Sequence, residues 1–158
     1  MIYIRQAKPE DAEQLLQVHT QAIRETAGAY YSQEQIEAWA GGLVLEGYID
    51  AMAGHPFLVA EDEQGSVIGF GELNFDLSVV CAVYVLPDSA RRGAGRKLLH
   101  ALEEIARAAG VVELRLDSSV NAELFYNACG YESGERTLHP LRGRQSEIAC
   151  VKMRKRLQ

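Results

Sequence analysis

The sequence predicts an α+β domain, an antiparallel meander with helices flanking it, and three observations predict it. Apolar residues recur at helical spacing near the amino terminus. From Phe57 to Leu86 short β-branched runs alternate with tight turns, as in strands joined by hairpins. Beyond that, leucine-striped and aromatic helical segments alternate with further strands, and no linker, repeat or low-complexity stretch intervenes, so residues 1–158 read as one domain.

Taken in order, Ile2 to Arg5 reads as a first strand, and Lys8-Pro9-Glu10-Asp11 is a turn whose proline and acids suit a helix start. Leu15, Leu16, Val18, His19, Ala22 and Ile23 then place a helix to about Glu25. Ser32, followed by Glu34 and Gln35, can cap a second helix through Ile36, Trp39 and Ala40, ended by Gly41-Gly42. Strands follow at Phe57–Ala60, Val67–Phe75 and Val79–Leu86, the first two joined by the turn Glu63-Gln64-Gly65-Ser66. A helix striped by Leu98, Leu99, Leu102, Ile105 and Ala106 closes at Gly110. Val111 to Leu116 returns to strand, Ala122 to Ala128 forms a short helix ended by Gly130, and strands at Tyr131–Thr137 and Ser146–Met153 finish the chain.

At 158 residues, 47% hydrophobic and 24% charged, the chain has the composition of a globular protein that folds without disulfide or metal. Cys81, Cys129 and Cys150 are odd in number and set among apolar residues, which reads as reduced core thiols, and no sequence cluster of Cys and His suggests a metal site. Neither a signal peptide nor a membrane-length apolar run is legible, so a cytoplasmic protein with no membrane partner is expected. A formal charge of −6 disfavours nucleic acid, and the basic run Lys152–Arg156 reads as the exposed end of a last strand.

The most informative stretch runs from Val83 to Leu99. A strand ends at Pro87, a short loop follows, and Gly93-Ala94-Gly95 opens an amphipathic helix. Free N–H groups at such a helix start, at the positive end of the helix dipole, can hold a pyrophosphate. Gly93 and Gly95 let phosphate oxygens approach the main chain, and Arg91, Arg92, Arg96 or Lys97 add charge at the rim. Residue identities exclude two common phosphate loops: Leu98 stands where a dinucleotide loop needs glycine, and Gly95-Arg96-Lys97-Leu98 lacks the lysine and hydroxyl order of a nucleotide triphosphate loop. On this reading Gly93→Glu or Gly95→Glu blocks the cradle and leaves the fold intact.

This stretch resembles the acetyl-CoA motif of the GNAT superfamily of N-acetyltransferases, in which a strand and proline precede [Q/R]-x-x-G-x-[G/A] and a leucine-rich helix follows. Gly93, Gly95, Leu98 and Leu99 match, whereas Ala90 stands in place of the family's Gln or Arg, with Arg91 adjacent. A second match, Asn121-Ala122-Glu123-Leu124-Phe125-Tyr126 followed by Gly130-Tyr131, comes in the family's order and distance. Tyr30–Trp39 and Ile148–Lys155 are similar to segments of small bacterial members, which favours a small-molecule acceptor. The resemblance implies the acyl-CoA N-acyltransferase fold, a mixed, mostly antiparallel sheet flanked by helices, and transfer of an acetyl group from acetyl-CoA to a primary amine by direct attack in a ternary complex. It involves no metal and leaves room for a homodimer.

By the same resemblance, the Val83 N–H contacts the thioester carbonyl and Val85 pairs with pantetheine. Arg91, Arg92, Gly93, Ala94, Gly95 and Arg96 surround the pyrophosphate. Tyr126 is the acid for the departing thiolate, against a packing role for its ring. Asn121 either bonds pantetheine or caps the short helix. Glu72, in Phe70-Gly71-Glu72-Leu73, is the candidate base, against an ordinary strand carboxylate. Tyr30, Tyr31 and Trp39 are candidates for an aromatic acceptor wall. His19 reads as a core histidine. The rival from another class is a noncatalytic acyl-CoA-binding or sensing module.

Overall fold

The computed structural model describes residues 1–141 and 146–157. Its strands are β1 (Tyr3–Gln6), β2 (Phe57–Glu61), β3 (Val67–Asn74), β4 (Val79–Val85), β5 (Glu113–Ser119), β6 (Glu132–Pro140) and β7 (Glu147–Arg156). Its helices are α1 (Ala12–Thr26), α2 (Gln33–Gly41), α3 (Leu45–Gly54), α4 (Ala94–Ala108) and α5 (Glu123–Ala128). The strands form one seven-stranded sheet in the order β1-β2-β3-β4-β5-β7-β6, antiparallel throughout except between β4 and β5. This is the mixed, mostly antiparallel α+β architecture that the sequence implied.

Local chemistry sets most boundaries. Ser32 accepts a hydrogen bond from the Gln35 N–H at 3.1 Å while the Gln35 side chain receives the Ser32 N–H, a complete capping box. The carboxyl end of α4 closes by Gly110 and Val111 N–H groups donating back to Arg107 and Ala106 carbonyls, both at 3.0 Å. Helix α3 has no counterpart in the sequence reading. Its Leu45, Tyr48, Ile49 and Met52 do recur at helical spacing, but Val44 at its start offers no capping side chain.

Strand alternation divides the sheet into two faces. Phe57, Val59, Phe70, Glu72, Ala82 and Tyr84 share one, because β2–β3 and β3–β4 registers place them opposite one another. Helices α1 and α3 cover that face through Leu15, Val18 and Tyr48. Gly69, Gly71, Leu73, Val83 and Val85 share the other, where α4 lies close. A Cβ on Gly71 would stand 2.9 Å from Leu102, so the bare backbone sets the helix-to-sheet distance.

The basic run near the carboxyl end is the end of the last strand, as expected, with Lys152, Arg154 and Arg156 exposed, and β5 pairs with it along its length. Met153 is buried, and the Lys155 ammonium reaches Glu103 on α4 at 3.0 Å and the Cys129 carbonyl at 2.8 Å. The Tyr131 hydroxyl also donates to Glu103, at 2.9 Å. These bonds satisfy a carboxylate that is 3% exposed and clamp α4 and the end of α5 to β7. Lys155→Met should strand that charge and cost about 3 kcal/mol. Adding Glu103→Leu should recover part of the loss, and urea unfolding of the three proteins checks both expectations.

Candidate active site

Strands β4 and β5 pair at one register position among the described residues, Val79 opposite Arg115, and part beyond it. The Arg115 N–H donates to the Ser78 carbonyl at 3.0 Å, closing the apex. On the other edge of β4, the Leu86 N–H donates to Ile68 of β3 at 2.8 Å. Successive N–H groups of an extended strand point to opposite edges, so those of Val85 and Val83 face the gap. Val83 and Val85, the two residues expected to meet the thioester and pantetheine, thus present their N–H groups on the edge of β4 that borders the gap.

At the wide end of the gap, Pro87–Arg92 forms a 3₁₀ turn and Gly93 turns into α4 at φ 84°, a left-handed conformation that favours glycine. No side chain caps α4, and its first intrahelical bond runs from the Lys97 N–H to the Gly93 carbonyl. The N–H groups of Ala94, Gly95 and Arg96 precede that bond and have no intrahelical acceptor. The cationic side chains divide. Arg92 pairs with Glu63 and Lys97 donates to the Ile2 carbonyl, whereas exposed Arg91 and Arg96 make no hydrogen bond or ion pair among the described residues.

The two glycines differ in kind. At Gly93 a Cβ would meet nothing within 4 Å, but at buried Gly95 it would stand 3.1 Å from the Phe125 ring. The expectation that Gly95→Glu leaves the fold intact is therefore corrected, because a Cβ already crowds Phe125 and a longer side chain must displace that ring. Gly95→Ala should cost about 1–3 kcal/mol by overpacking, against about 1 kcal/mol of backbone strain for Gly93→Ala. Thermal melts of the two variants check that order; equal losses would contradict the Phe125 contact.

Across the sheet from α4 lies a cavity of about 1060 Å³. One wall is aromatic, with Tyr48, Phe57, Phe70 and Tyr84 around His19 and Trp39 nearby; the opposite wall carries Arg115, Asp117, Glu132, Lys152 and Arg154 from the far half of the sheet. The His19 ring lies 4.1 Å from that of Tyr84 and 5.3 Å from that of Phe70. Its Nδ1 is 2.9 Å from the Tyr48 hydroxyl, and its buried Nε2 has no hydrogen-bond partner.

Burial pushes His19 from its ordinary value of 6.5 down to about 3. An unfolded chain protonates this residue as pH falls below 6.5 while the folded one does not, so its contribution erodes from 6.5 toward 3. His19→Gln should therefore flatten the pH dependence of unfolding free energy between about pH 6 and about pH 4, by up to about 1.4 kcal/mol per pH unit. Urea titrations at several pH values measure the slope.

Glu72 stands on the cavity wall, with its carboxylate 2.5 Å from Nδ1 of His55, the residue that ends α3. At this distance the His55 Nδ1–H donates a hydrogen bond to the carboxylate. His55 escaped the sequence reading, although it lies two residues before Phe57, which is the register partner of Glu72. Tyr126 is buried with its ring edge-on to Phe125 and Tyr131, so the packing role anticipated for it is present. Its hydroxyl makes no hydrogen bond among the described residues, and burial pushes its pKa well above that of a free phenol, which keeps the proton on.

Asn121 does not cap α5: its amide nitrogen is 3.4 Å from the Thr26 hydroxyl and its buried Oδ1 is unpartnered. Of the three expected wall aromatics, Trp39 lines the cavity. Tyr30 is exposed and lines nothing described there. Tyr31 is a core residue, its hydroxyl donating to the Ala149 carbonyl at 2.5 Å and accepting the Val120 N–H at 2.8 Å. The wall is built instead from Tyr48, Phe57, Phe70 and Tyr84, which strand alternation and the spacing of α3 could have revealed.

All three cysteines are free, but only Cys150 is buried as expected; Cys81 is exposed and sits at a bulge where β4 carries one residue more than β3 between Val80 and Ala82. The Cys81 thiol is pushed up to about 11 by lost solvation and by the neighbouring Glu72 carboxylate. No described helix is long and apolar enough to cross a membrane.

Comparison with known proteins gives this geometry a context. Residues 28–157 match the acetyltransferase (GNAT) domain family. The chain is 30% identical over 132 residues to an aminoglycoside N(6')-acetyltransferase type 1 of Stenotrophomonas maltophilia, spanning 82% of this chain and 76% of the relative. A GCN5-related N-acetyltransferase from Rhodopseudomonas palustris superposes with a TM-score of 0.90 at 31% identity, covering 98% of this chain and 95% of that one. The PaiA N-acetyltransferase of Thermoplasma acidophilum, solved in complex with coenzyme A, superposes with a TM-score of 0.82 at 25% identity over 99% of both chains.

Proposed function

Since this chain belongs to the GNAT family of acetyl-CoA-dependent N-acetyltransferases, we propose that it acetylates a primary amine of a small molecule by direct attack within a ternary complex. The observation that carries this reading is the gap between β4 and β5. It opens at one end onto the uncapped start of α4 and at one side onto a cavity with Glu72 in its wall.

In this reading the Ala94, Gly95 and Arg96 N–H groups, entered past Gly93, receive the pyrophosphate. Arg91 and Arg96 supply charge, and Arg92 does so by giving up Glu63. Pantetheine fills the strand-shaped gap, pairing with Val85, and the unpartnered Asn121 Oδ1 accepts one of its amide N–H groups. The Val83 N–H then faces the thioester carbonyl. As the amine nitrogen attacks the carbonyl carbon, negative charge grows on the oxygen that this N–H stabilises. The carbon–sulfur bond breaks, the coenzyme A thiolate leaves, and the Tyr126 hydroxyl protonates it. The proton lost by the amine passes to Glu72, whose carboxylate is held in place by its hydrogen bond to His55.

The acceptor class follows from the cavity. Aromatic rings on one wall and a carboxylate at its end suit an amine carried on a compact body, the ammonium drawn to Glu72 before it deprotonates. The acceptor in the name of the Stenotrophomonas relative is likewise a small molecule.

A screen of small amines for steady release of coenzyme A identifies the acceptor and separates catalysis from mere acyl-CoA binding. With that acceptor, Tyr126→Phe should lower kcat about a hundredfold and spare acetyl-CoA affinity. Glu72→Gln should lower turnover mostly where the amine is protonated. Unchanged kcat in Tyr126→Phe would remove the phenol from the mechanism, and an unaltered pH profile in Glu72→Gln would remove the carboxylate.

A further inference from the structure

We propose that His55, Glu72 and Cys81 form a binding site for a borderline-soft divalent cation of the Zn²⁺ class, and that its occupancy shuts off acetyl transfer. One donor atom from each residue lies within 4.8 Å of the other two, the only such grouping of His, Cys and carboxylate side chains among the described residues. The three come from separate places in the chain: the end of α3, the middle of β3, and the bulge of β4. In an unbroken strand Cys81 would point away from the face shared by Glu72 and Ala82. The extra residue in β4 re-aims it toward Glu72.

The donor set selects the ion. Imidazole nitrogen, carboxylate oxygen and thiolate sulfur together suit Zn²⁺ at about 2.0–2.3 Å, whereas Mg²⁺ and Ca²⁺ prefer oxygen alone. Tetrahedral ligation needs donors about 3.4 Å apart. His55 and Glu72, now 2.5 Å apart, must separate slightly, and the cysteine must swing in. Side chains 32% and 17% exposed have room for that adjustment. Three protein ligands leave one position open, for water or for an incoming amine.

Binding replaces protons by the cation: the thiol proton and the proton in the hydrogen bond between His55 and Glu72 pass to solvent as the three metal bonds form. The inhibitory half of the proposal rests on the role of Glu72 given above. A carboxylate committed to a cation cannot take the amine's proton, and the cation's charge repels an ammonium acceptor at that wall.

The test uses the reduced, metal-free full chain and Co²⁺ as probe. A sulfur-to-cobalt charge-transfer band should appear in the parent, fall away on adding Zn²⁺, be absent in Cys81→Ser, and require at least about tenfold more Co²⁺ in His55→Ala. Absence of the band, or its survival in Cys81→Ser, would overturn the site, since Cys129 or Cys150 would then be the ligand. In the coenzyme A release assay, Zn²⁺ should inhibit the parent, and Cys81→Ser should keep the parent's metal-free rate and tolerate about tenfold more Zn²⁺. A parent that shows the band yet turns over unchanged when loaded keeps the site and overturns the inhibition. Glu72→Gln kinetics in metal-free buffer then report separately on the base.

Discussion

A backbone N–H taken from water must find an acceptor, and this fold leaves a row of them along one edge of β4 without a strand to supply it. Because β5 meets β4 only at Val79 and Arg115 among the described residues, the edge beyond is shaped like half of a strand pair. In the function proposed above, pantetheine, an extended chain with its own amides, completes it. The same parting sets the other features in place. It directs the end of β4 at Pro87 into the turn that opens α4, and it joins the face under α4 to the cavity under α1 and α3.

A sheet split in this way loses hydrogen bonds at its centre, so side chains hold the halves together. Arg115 closes the apex, its main-chain N–H bonding Ser78 and its guanidinium bonding the Leu77 carbonyl at 3.3 Å. Farther out, Tyr31 joins the region after α1 to β7 and to the turn before α5, satisfying a carbonyl and an N–H at once. On the opposite face Glu103, Lys155 and Tyr131 tie α4 to the far half of the sheet. Helix α4 packs Leu98 against the near strands and Leu102 against the central cluster.

The cavity owes its polarity to contrast. Aromatic side chains on β2, β3, β4 and α3 lower the local dielectric and hold His19 neutral, leaving Glu72 as the carboxylate on that wall. Its contact with His55 and the nearness of Cys81 depend on two irregularities, the end of α3 and the bulge of β4. One residue fewer in β4 would turn Cys81 to the other face. The proposed proton acceptor and the proposed metal-binding donors thus coincide through these two irregularities.

Read by itself, the sequence determined the elements whose cause is local. Ser32 and Gln35 announce a helix start, Pro87 and Gly93 a strand end and a turn, and the leucine stripe from Leu98 to Leu102 the helix that follows. Motifs of contiguous residues sufficed to place the chain among acetyltransferases and to name acetyl-CoA. Helix α3 was illegible because Val44 gives no cap, and Tyr31 was misplaced because a tyrosine at helical spacing looks the same whether it faces a cavity or a buried carbonyl. Tertiary structure alone decided the pairing of His55 with Glu72, the company of Cys81, the neutrality of His19 and the crowding of Gly95 by Phe125. Each of these depends on distances between residues far apart in the chain, set by strand register and by a bulge, and neither leaves a periodic mark in the sequence.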